Sequence, residues 1–261
     1  MKIATRNINE CVGITTNLDN QETVDIINTK NIDEIIDKIN EYDFDVICFQ
    51  EYPTYINEKI SLTENILNKT KLKYFVENST YNSFLFDDGR VGVSIFSKYK
   101  IKDSYKTLFF NPKLVKQSST GDIYHSFDKW IIKAVIEMDG DDYTIITGHA
   151  IAFATFGKNE FDYPESYKPL EDLINDCIDD NLIVLWDFNS EKLFDLIPSV
   201  KGKVFDSING PTTKDYYERR WEVQMDYILI NDKLKKIEIY KIDNFSDHYI
   251  MGVELLKNKK Y

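Results

Sequence analysis

Acidic and amide residues that directly follow apolar runs are the residues of this chain best suited to chemistry. The stretch LIVLWDFNSE, residues 182–191, is an apolar run that ends in Asp187, Phe188 and Asn189. An unpaired carboxylate costs too much free energy to bury in a core. We therefore expect a strand that is buried on both faces and that delivers Asp187 and Asn189 to a cleft at its end.

Glu51 and Asn7 also stand at predicted strand ends. Glu51 follows the apolar segment VICFQ, and Asn7 lies near the end of the alternating segment KIATRNIN. A carboxylate in such a place can be a hard oxygen ligand for Mg²⁺ or Mn²⁺, since such ions are often held by one or two carboxylates. The alternative for Glu51 is an ordinary surface residue after a strand.

Two histidines lie next to apolar strands. His149 closes the segment YTIITGH, and Asp247 and His248 precede the last strand. Asp226 lies within QMDYILI, where a buried carboxylate needs a partner, and a histidine is a natural one. A histidine held in one tautomer by a carboxylate suits general acid–base chemistry near neutral pH. His149 alone could also be a structural residue, and His125, in a polar segment, is predicted to be a plain surface residue.

Hydrophobic periodicity predicts the elements that must position these residues. A helix is predicted to begin at Asn31, with Glu34 as its capping-box partner, and the segment 111–128 is predicted to be a long loop. Further helices are predicted over about 54–68, 168–179 and 191–197. Strands are predicted over about 2–9, 44–49, 72–76, 81–86, 91–97, 104–110, 130–138, 143–147, 222–230, 235–242 and 249–256, in addition to the apolar run before Asp187.

The order of these elements predicts the fold. Helical and strand-rich segments alternate in two halves of similar plan, and no linker rich in Gly, Ser or Pro divides the chain. Apolar faces of sheets must be buried against other layers. We therefore predict an α/β fold, a four-layer α/β/β/α sandwich of two mixed, mainly antiparallel sheets packed face to face, formed by one domain over residues 1–261.

Composition narrows the class of protein. A formal net charge of −12 disfavours a protein that wraps nucleic acid by charge alone, although bound divalent cations can invert a local field. The three cysteines, an odd number, match no metal ligand set. Cys48 and Cys177 lie in apolar segments and are predicted to be buried free thiols, as in a reducing compartment. The N-terminus has no apolar signal core, and no run reaches the length of a membrane span. We expect a cytoplasmic protein without a membrane partner or an obligate protein partner.

Taken together, the polar strand ends resemble the signature of the endonuclease/exonuclease/phosphatase superfamily, the deoxyribonuclease/exonuclease-like metal-dependent phosphodiesterases. The terminal SDH and the preceding MDYILI are its most specific parts. The resemblance covers nearly the whole chain in the family's order, through ATRNIN, DVICFQE, VGVSIFSKYKI, TIITGHA, LIVLWDFNSE, MDYILI and FSDH. It implies the same two-sheet sandwich that the order of elements predicts.

The resemblance also implies a metal site. Glu51 would be the principal ligand of Mg²⁺ or Mn²⁺, as one ion or two, with Asn7 and Asp247 near the metal or its waters. Two supporting positions depart from the family pattern. Arg6 stands where a Trp or similar residue is usual, and Trp186 stands where Gly is usual.

Catalytic roles follow from the same resemblance. Asp187 would orient or deprotonate the attacking water, and Asn189 would hold water or phosphate. His248, oriented by Asp226, would bind the scissile phosphate or act as general acid–base. His149 would stabilise the transition state, and it separates this chain from the abasic-site endonucleases that carry Tyr there.

The substrate expected from the sequence is DNA or RNA, cleaved by in-line attack of an activated water. Arg219, Arg220 and Trp221 mix cations with an aromatic face, which suits stacking on unpaired bases, and Trp186 is a further candidate for substrate contact. The alternative for this segment, residues 216–221, is an ordinary surface loop whose arginines pair with acidic residues of the chain. The alternative function is a phosphatase or phosphodiesterase for a soluble small-molecule phosphoester, which a closed pocket would favour. A catalytically inactive binding module is the remaining alternative.

Overall fold

The computed structural model describes residues 1–11, 21–53, 61–82, 90–117, 121, 123–214 and 222–258. Within these ranges the helices are α1 (Gln21–Tyr42), α2 (Leu62–Lys69), α3 (Pro164–Asp176) and α4 (Leu193–Leu196). None of them is long and apolar enough to cross a membrane.

Strands make up most of the regular structure in the described ranges. They are β1 (Lys2–Asn7), β2 (Val46–Pro53), β3 (Tyr74–Asn82), β4 (Arg90–Ser97), β5 (Ile101–Phe109), β6 (Val115–Gln117), β7 (Ile123–His125), β8 (Lys129–Met138), β9 (Asp141–His149), β10 (Asn181–Asp187), β11 (Val204–Asp206), β12 (Asp226–Asn231), β13 (Leu234–Ile242) and β14 (Ile250–Lys257).

Two six-stranded sheets form the centre of the fold. The first has the strand order β13-β14-β1-β2-β4-β3, and the second has the order β11-β12-β10-β9-β8-β5. β1 pairs with β2 in parallel, as β9 does with β10, while the other described pairs of these two sheets are antiparallel. The predicted pair of mixed, mainly antiparallel sheets is confirmed.

Three apolar clusters hold the layers together. The inner cluster joins residues of both sheets, including Ile95 and Leu185, and therefore packs the sheets face to face. A second cluster buries Ile35 of α1 and Ile66 of α2 against the outer face of the first sheet. A third buries Leu170 and other residues of α3 against the outer face of the second sheet. The four-layer α/β/β/α order therefore results because the two sheets cover each other's inner faces and the helices cover the outer faces.

Several predicted boundaries were wrong. α1 begins at Gln21, so Asn31 lies inside the helix instead of capping it, and its side chain donates to the Cys11 carbonyl at 2.7 Å. α3 begins at Pro164, which places Pro169 inside the helix. The predicted loop 111–128 contains the hairpin of β6 and β7. Much of the helix predicted over 54–68 lies outside the described residues.

Strand register brings the predicted site residues to one edge of the sandwich. Asp187 is the direct partner of His149 on β9 and of Asp226 on β12. Asn7 ends β1 beside Gln50 of β2, the residue before Glu51. Carboxyl ends of parallel strands meet at the same edge of a sheet, so both parallel pairs deliver their last residues into one cleft.

Candidate active site

Asp187 is the central residue of the cleft, and its side chain is fully buried. Its Oδ2 accepts a hydrogen bond from Asn7 Nδ2 at 3.0 Å, and its Oδ1 accepts one from the backbone N–H of Asn189 at 2.9 Å. Burial raises the pKa of Asp187 to about 7, with the charge of Asp226 adding to the rise and His248 and Asn7 opposing it. A carboxyl group with that pKa can exchange a proton with water near neutral pH.

His248 and Asp226 form a buried pair beside Asp187. Nδ1 of His248 lies 2.8 Å from Oδ2 of Asp226, and Nε2 lies 3.9 Å from Oδ2 of Asp187. Burial alone would lower the pKa of His248, but Asp226 and Asp187 raise it well above its ordinary value. The imidazolium therefore donates from Nδ1 to Asp226 and presents a second proton at Nε2 to the cleft. Thr212 fixes the other side of Asp226, because its hydroxyl oxygen accepts the Asp226 N–H at 2.9 Å.

His149 lies opposite His248 across Asp187. Its Nε2 is 3.6 Å from Asp187 Oδ2 and 2.9 Å from Asn189 Nδ2, and its Nδ1 is 3.1 Å from Lys129 Nζ. Burial and the charge of Lys129 hold the pKa of His149 well below its ordinary value, so the ring is neutral. Asn189 Nδ2 also donates to the Ala150 carbonyl at 3.2 Å, which fixes that amide as a donor toward Nε2. Nε2 of His149 could donate a hydrogen bond to a phosphoryl oxygen only after its contact with the Asn189 amide is exchanged for one with the phosphate.

Glu51 reaches the cleft through a β-bulge. The side chain of Gln50 contacts Thr147 of the other sheet at 3.2 Å, so it points inward, and simple alternation would turn Glu51 outward. The register of β2 shifts at this point, and Glu51 has a left-handed φ of 49°. The bulge re-aims the side chain, so that Oε1 lies 3.8 Å from Nε2 of His149.

The donor set around Glu51 fits a divalent cation. Burial raises the pKa of the Glu51 carboxyl, Lys129 opposes the rise, and the negative charge of Asp247 adds to it. Two nearby carboxylates with an amide beside them are the oxygen-rich surroundings that Mg²⁺ and Mn²⁺ prefer. The Asn7 amide faces Asp187 with Nδ2 and accepts the Asn9 N–H with Oδ1, which retains a second lone pair.

A second grouping competes for the metal. Asp187, Asp226 and His248 bring one ligand atom each within 4.8 Å of one another. However, Nδ1 of His248 and Oδ2 of Asp226 already bond to each other at 2.8 Å. A cation there would have to break that pair and approach a histidine whose pKa favours the charged form. Of these two groups, the surroundings of Glu51 are the ones that a cation could enter without breaking the pair of His248 and Asp226.

Lys129 is a site residue that the sequence analysis missed. It opens β8, it is partly buried, its Nζ lies 3.1 Å from Nδ1 of His149, and it interacts electrostatically with Glu51 and Asp187. Burial lowers its pKa to about 8, against the pull of those carboxylates. The available signal was a lysine at the start of the apolar run WIIKAVI, whose antiparallel direction brings its first residue to the same edge.

The expectation that Trp186 contacts the substrate is wrong. Its side chain has no exposed surface and packs in the outer cluster beneath α3, with ring centroids 6.1 Å from Phe109 and 5.5 Å from Phe188. Alternation along β10 explains this, because Leu185 and Asp187 point between the sheets and Trp186 points to the opposite face. The expected contacts of Arg219, Arg220 and Trp221 lie outside the described residues.

Arg6, the other departure from the family pattern, also faces away from the cleft. Its guanidinium is buried, stacks on the Phe245 ring at 4.3 Å and donates to Asn244 Oδ1 at 2.8 Å. Asn244 Nδ2 in turn donates to the His248 carbonyl at 2.9 Å. Arg6 therefore supports the loop that carries His248.

A pocket of about 640 Å³ opens directly beside these residues. Glu51, Lys129, His149 and Asn189 line one side of it, and the hairpin of β6 and β7 lines the other, including His125, which was predicted to be a plain surface residue. A larger cavity of about 960 Å³ lies at the opposite end of β9 and β10 and contains none of the predicted site residues.

The chain is similar to one protein family and to a number of solved structures. A family model described as "Endonuclease/Exonuclease/phosphatase family" matches residues 14–248. Among solved structures, an endonuclease/exonuclease/phosphatase family protein from Leptotrichia buccalis C-1013-b is 19% identical, with a TM-score of 0.67 over 98% of this chain and 99% of that one.

Two other similar solved structures belong to proteins that are described by an individual name or by an activity. The human Nocturnin catalytic domain is 16% identical, with a TM-score of 0.65 over 99% of this chain and 93% of that one. A mannosyl-6-phosphatase from Bacteroides thetaiotaomicron VPI-5482 is 14% identical, with a TM-score of 0.65 over 98% and 99%. At these identities the likeness shows the fold alone. No curated protein sequence matches the chain.

Proposed function

Because the chain belongs to the endonuclease/exonuclease/phosphatase family, we propose that it hydrolyses phosphate esters by in-line attack of a water molecule, with the help of Mg²⁺ or Mn²⁺. The family includes nucleases and phosphatases, and its members are metal-dependent phosphoester hydrolases. The observation that carries the proposal is the convergence on Asp187, which lies 3.0 Å from Asn7 and 3.9 Å from a histidine paired at 2.8 Å with Asp226.

Asp187 is the group that accepts the proton of the attacking water. Its pKa of about 7 makes the carboxylate a competent base at neutral pH. The Asn189 N–H and the Asn7 amide fix the two oxygens of the carboxylate, so the free lone pairs have a defined direction. Asn189 then holds the water or a phosphoryl oxygen at the edge of the cleft.

His248 is the group that meets the phosphate with positive charge. The Asp226 carboxylate keeps it protonated and oriented, so Nε2–H can donate to a phosphoryl oxygen or protonate the leaving oxygen. Lys129 supplies a further positive charge beside His149, and His149 could donate from Nε2 only after its contact with Asn189 is exchanged. A cation held by Glu51, with Asn7 and Asp247 nearby, would neutralise charge on the phosphoryl oxygens.

Nucleic acid, cleaved endo- or exonucleolytically, is the substrate expected from the sequence. A small soluble phosphoester is the second candidate, and the pocket of about 640 Å³ favours it, since small-molecule sites occupy roughly 300–1,000 Å³. A catalytically inactive binding module is disfavoured because each catalytic position carries a competent side chain.

The test is a substrate panel on the full chain. It contains labelled single- and double-stranded DNA and RNA, nucleotides, sugar phosphates and p-nitrophenyl esters, each with Mg²⁺ or Mn²⁺. We expect hydrolysis that EDTA abolishes and that Asp187→Asn removes. If no ester is hydrolysed, or if activity persists in Asp187→Asn, the proposed function is wrong.

A further inference from the structure

The pocket beside the candidate active site has a second wall that the catalytic chemistry does not use. β6 and β7 pair antiparallel, with Lys116 opposite Tyr124 and Val115 opposite His125. Lys116, Tyr124 and His125 line the pocket, which opens on its other side to Glu51 and His149. A molecule whose phosphate reacts at Asp187 would therefore rest its remaining part on this hairpin.

Side-chain hydrogen bonds hold the hairpin in place. Ser126 accepts the Leu114 N–H on its hydroxyl at 2.7 Å and donates that hydroxyl to Asn111 Oδ1 at 2.6 Å. Asn111 Nδ2 donates back to the Ser126 carbonyl at 2.9 Å. Lys116 Nζ donates to the Thr155 carbonyl at 2.7 Å and so ties the hairpin to the loop that follows His149. Side chains held in this way can present a fixed surface to a ligand.

The charge of the lining selects an anion. Among the described lining residues, Lys116 and Lys129 are cationic and Glu51 is the one carboxylate. The chain as a whole carries −12, which disfavours a long polyanion by net repulsion, while a small anion meets the two lysines of the pocket. One hydrogen bond to Thr155 leaves the Lys116 ammonium with further donors for an acidic group.

The remaining lining selects a planar group. Tyr124, Phe127 and Phe156 contribute aromatic rings to the pocket. Tyr124 is 42% exposed although it belongs to a well-anchored hairpin. Aromatic faces beside cationic side chains are suited to stacking on a ring that carries phosphate.

We propose that this pocket binds the non-reacting part of a small anionic phosphoester, with a planar ring against Tyr124 and Phe156 and a second acidic group against Lys116. The inference rests on the proposed function and names its substrate class, a nucleotide-sized ester that carries a second phosphate. Long nucleic acid is the competing substrate, and the test separates the two.

The experiment compares Lys116→Glu with Ile123→Ala and Lys116→Arg in the full chain with Mn²⁺. Ile123 is a matched control, because it lies on the same hairpin, is 61% exposed and does not line the pocket. We expect Lys116→Glu to raise KM for nucleoside bisphosphates by about tenfold or more, the loss of one charge-assisted contact. KM for p-nitrophenyl phosphate, which has no second anion to contact Lys116, should rise much less, and Lys116→Arg should restore KM for the bisphosphates.

Tyr124→Ala tests the ring. Its KM should rise for nucleotides and stay unchanged for sugar bisphosphates, which carry the anions without a planar base. The pocket assignment is overturned if Lys116→Glu weakens all esters equally or leaves bisphosphates unaffected. It is also overturned if oligonucleotides have the higher kcat/KM in the parent chain and keep it in both variants.

Calorimetric titration of a nucleoside bisphosphate into the Asp187→Asn variant measures binding without hydrolysis. It therefore distinguishes an error in the pocket assignment from an error in the proposed function. Binding of a nucleoside bisphosphate that Lys116→Glu weakens supports the pocket even if no ester is hydrolysed. Hydrolysis of esters without any Lys116-dependent binding leaves the proposed function in place and contradicts the pocket.

Discussion

Trp186 lies directly against Gly148 on the neighbouring strand and fills the space that a side chain at position 148 would need. The two are register partners of β10 and β9. A methyl group at position 148 would lie 2.2 Å from Cη2 and 2.4 Å from Cζ3 of Trp186. The family pattern that this chain resembles has glycine at the Trp186 position, so the small residue stands here on the adjacent strand. Asp187 and His149 are the next residues on the two strands and are register partners in turn.

Gly148→Ala should therefore destabilise the protein through overpacking, by about 1–3 kcal/mol. Unfolding in denaturant at equilibrium measures the change. In the Trp186→Leu background the clashing ring atoms are gone, so the same glycine substitution should cost little, and the double-mutant cycle should show a large coupling free energy. An equal cost in both backgrounds would show that the indole contact is not the reason for the glycine.

Asp226→Asn should lower the pKa of His248, because it removes the negative charge that bonds to Nδ1 and that most strongly raises this pKa. The imidazolium would then lose its proton at lower pH, and kcat at about pH 7 should fall on the order of 10²-fold. Histidine titration by NMR measures the shift directly, since the chain has three histidines and His248→Ala identifies the signal. An unchanged titration with reduced activity would assign Asp226 another role.

Much of the site was predictable because it lies where apolar strands end. Asn7, Glu51, His149 and Asp187 each follow an alternating or apolar run, and parallel strands bring such ends together. Lys129 was missed because it begins an antiparallel strand whose first residue reaches the same edge. Polar residues at the starts of antiparallel strands carry the same kind of signal as those at the ends of parallel ones.

Other parts of the fold carry no periodic signal. The hairpin of β6 and β7 has three residues in each strand and is held by Asn111 and Ser126 side chains. Alternation needs longer segments to be visible. The bulge at Glu51 likewise depends on the backbone conformation of a single residue, which a pattern of apolar residues cannot predict. The burial of Trp186 agrees with the predicted strand that is buried on both faces, and its assignment as a substrate contact does not.

Glu51→Gln should weaken the binding of Mg²⁺ or Mn²⁺, because it removes the carboxylate charge from the proposed ligand set. An apparent loss of affinity of about tenfold or more is expected, measured by metal titration of activity and by the rise in melting temperature on adding metal. Glu77→Gln is a matched control, since burial also raises the pKa of Glu77, at a position hydrogen-bonded to Thr63. If Asp226→Asn weakens metal binding and Glu51→Gln does not, the ion lies between Asp187, Asp226 and His248 instead.

Asp187→Asn should abolish most of the activity and yet stabilise the metal-free protein at about pH 8. Burial raises the pKa of Asp187 from 3.8 to about 7, so the folded protein binds this proton more tightly than the unfolded chain does. The contribution of Asp187 to the free energy of unfolding therefore falls as pH rises from about 4 to about 7, by at most about 4 kcal/mol for three pKa units. Asparagine has no such proton to lose, and the loss of attraction to His248 offsets part of the gain.

Denaturant unfolding in EDTA at about pH 5 and about pH 8 measures this difference. The stability of Asp187→Asn relative to the parent chain should increase between the two pH values. Asp43→Asn is a control for the sign, because hydrogen bonds from Lys71 and Lys98 lower the pKa of Asp43 and its ionised form therefore favours the folded state. If Asp187 had only a structural role, Asp187→Asn would lower both stability and activity at both pH values. A buried catalytic base instead lowers the stability of the folded protein, so replacing it raises that stability.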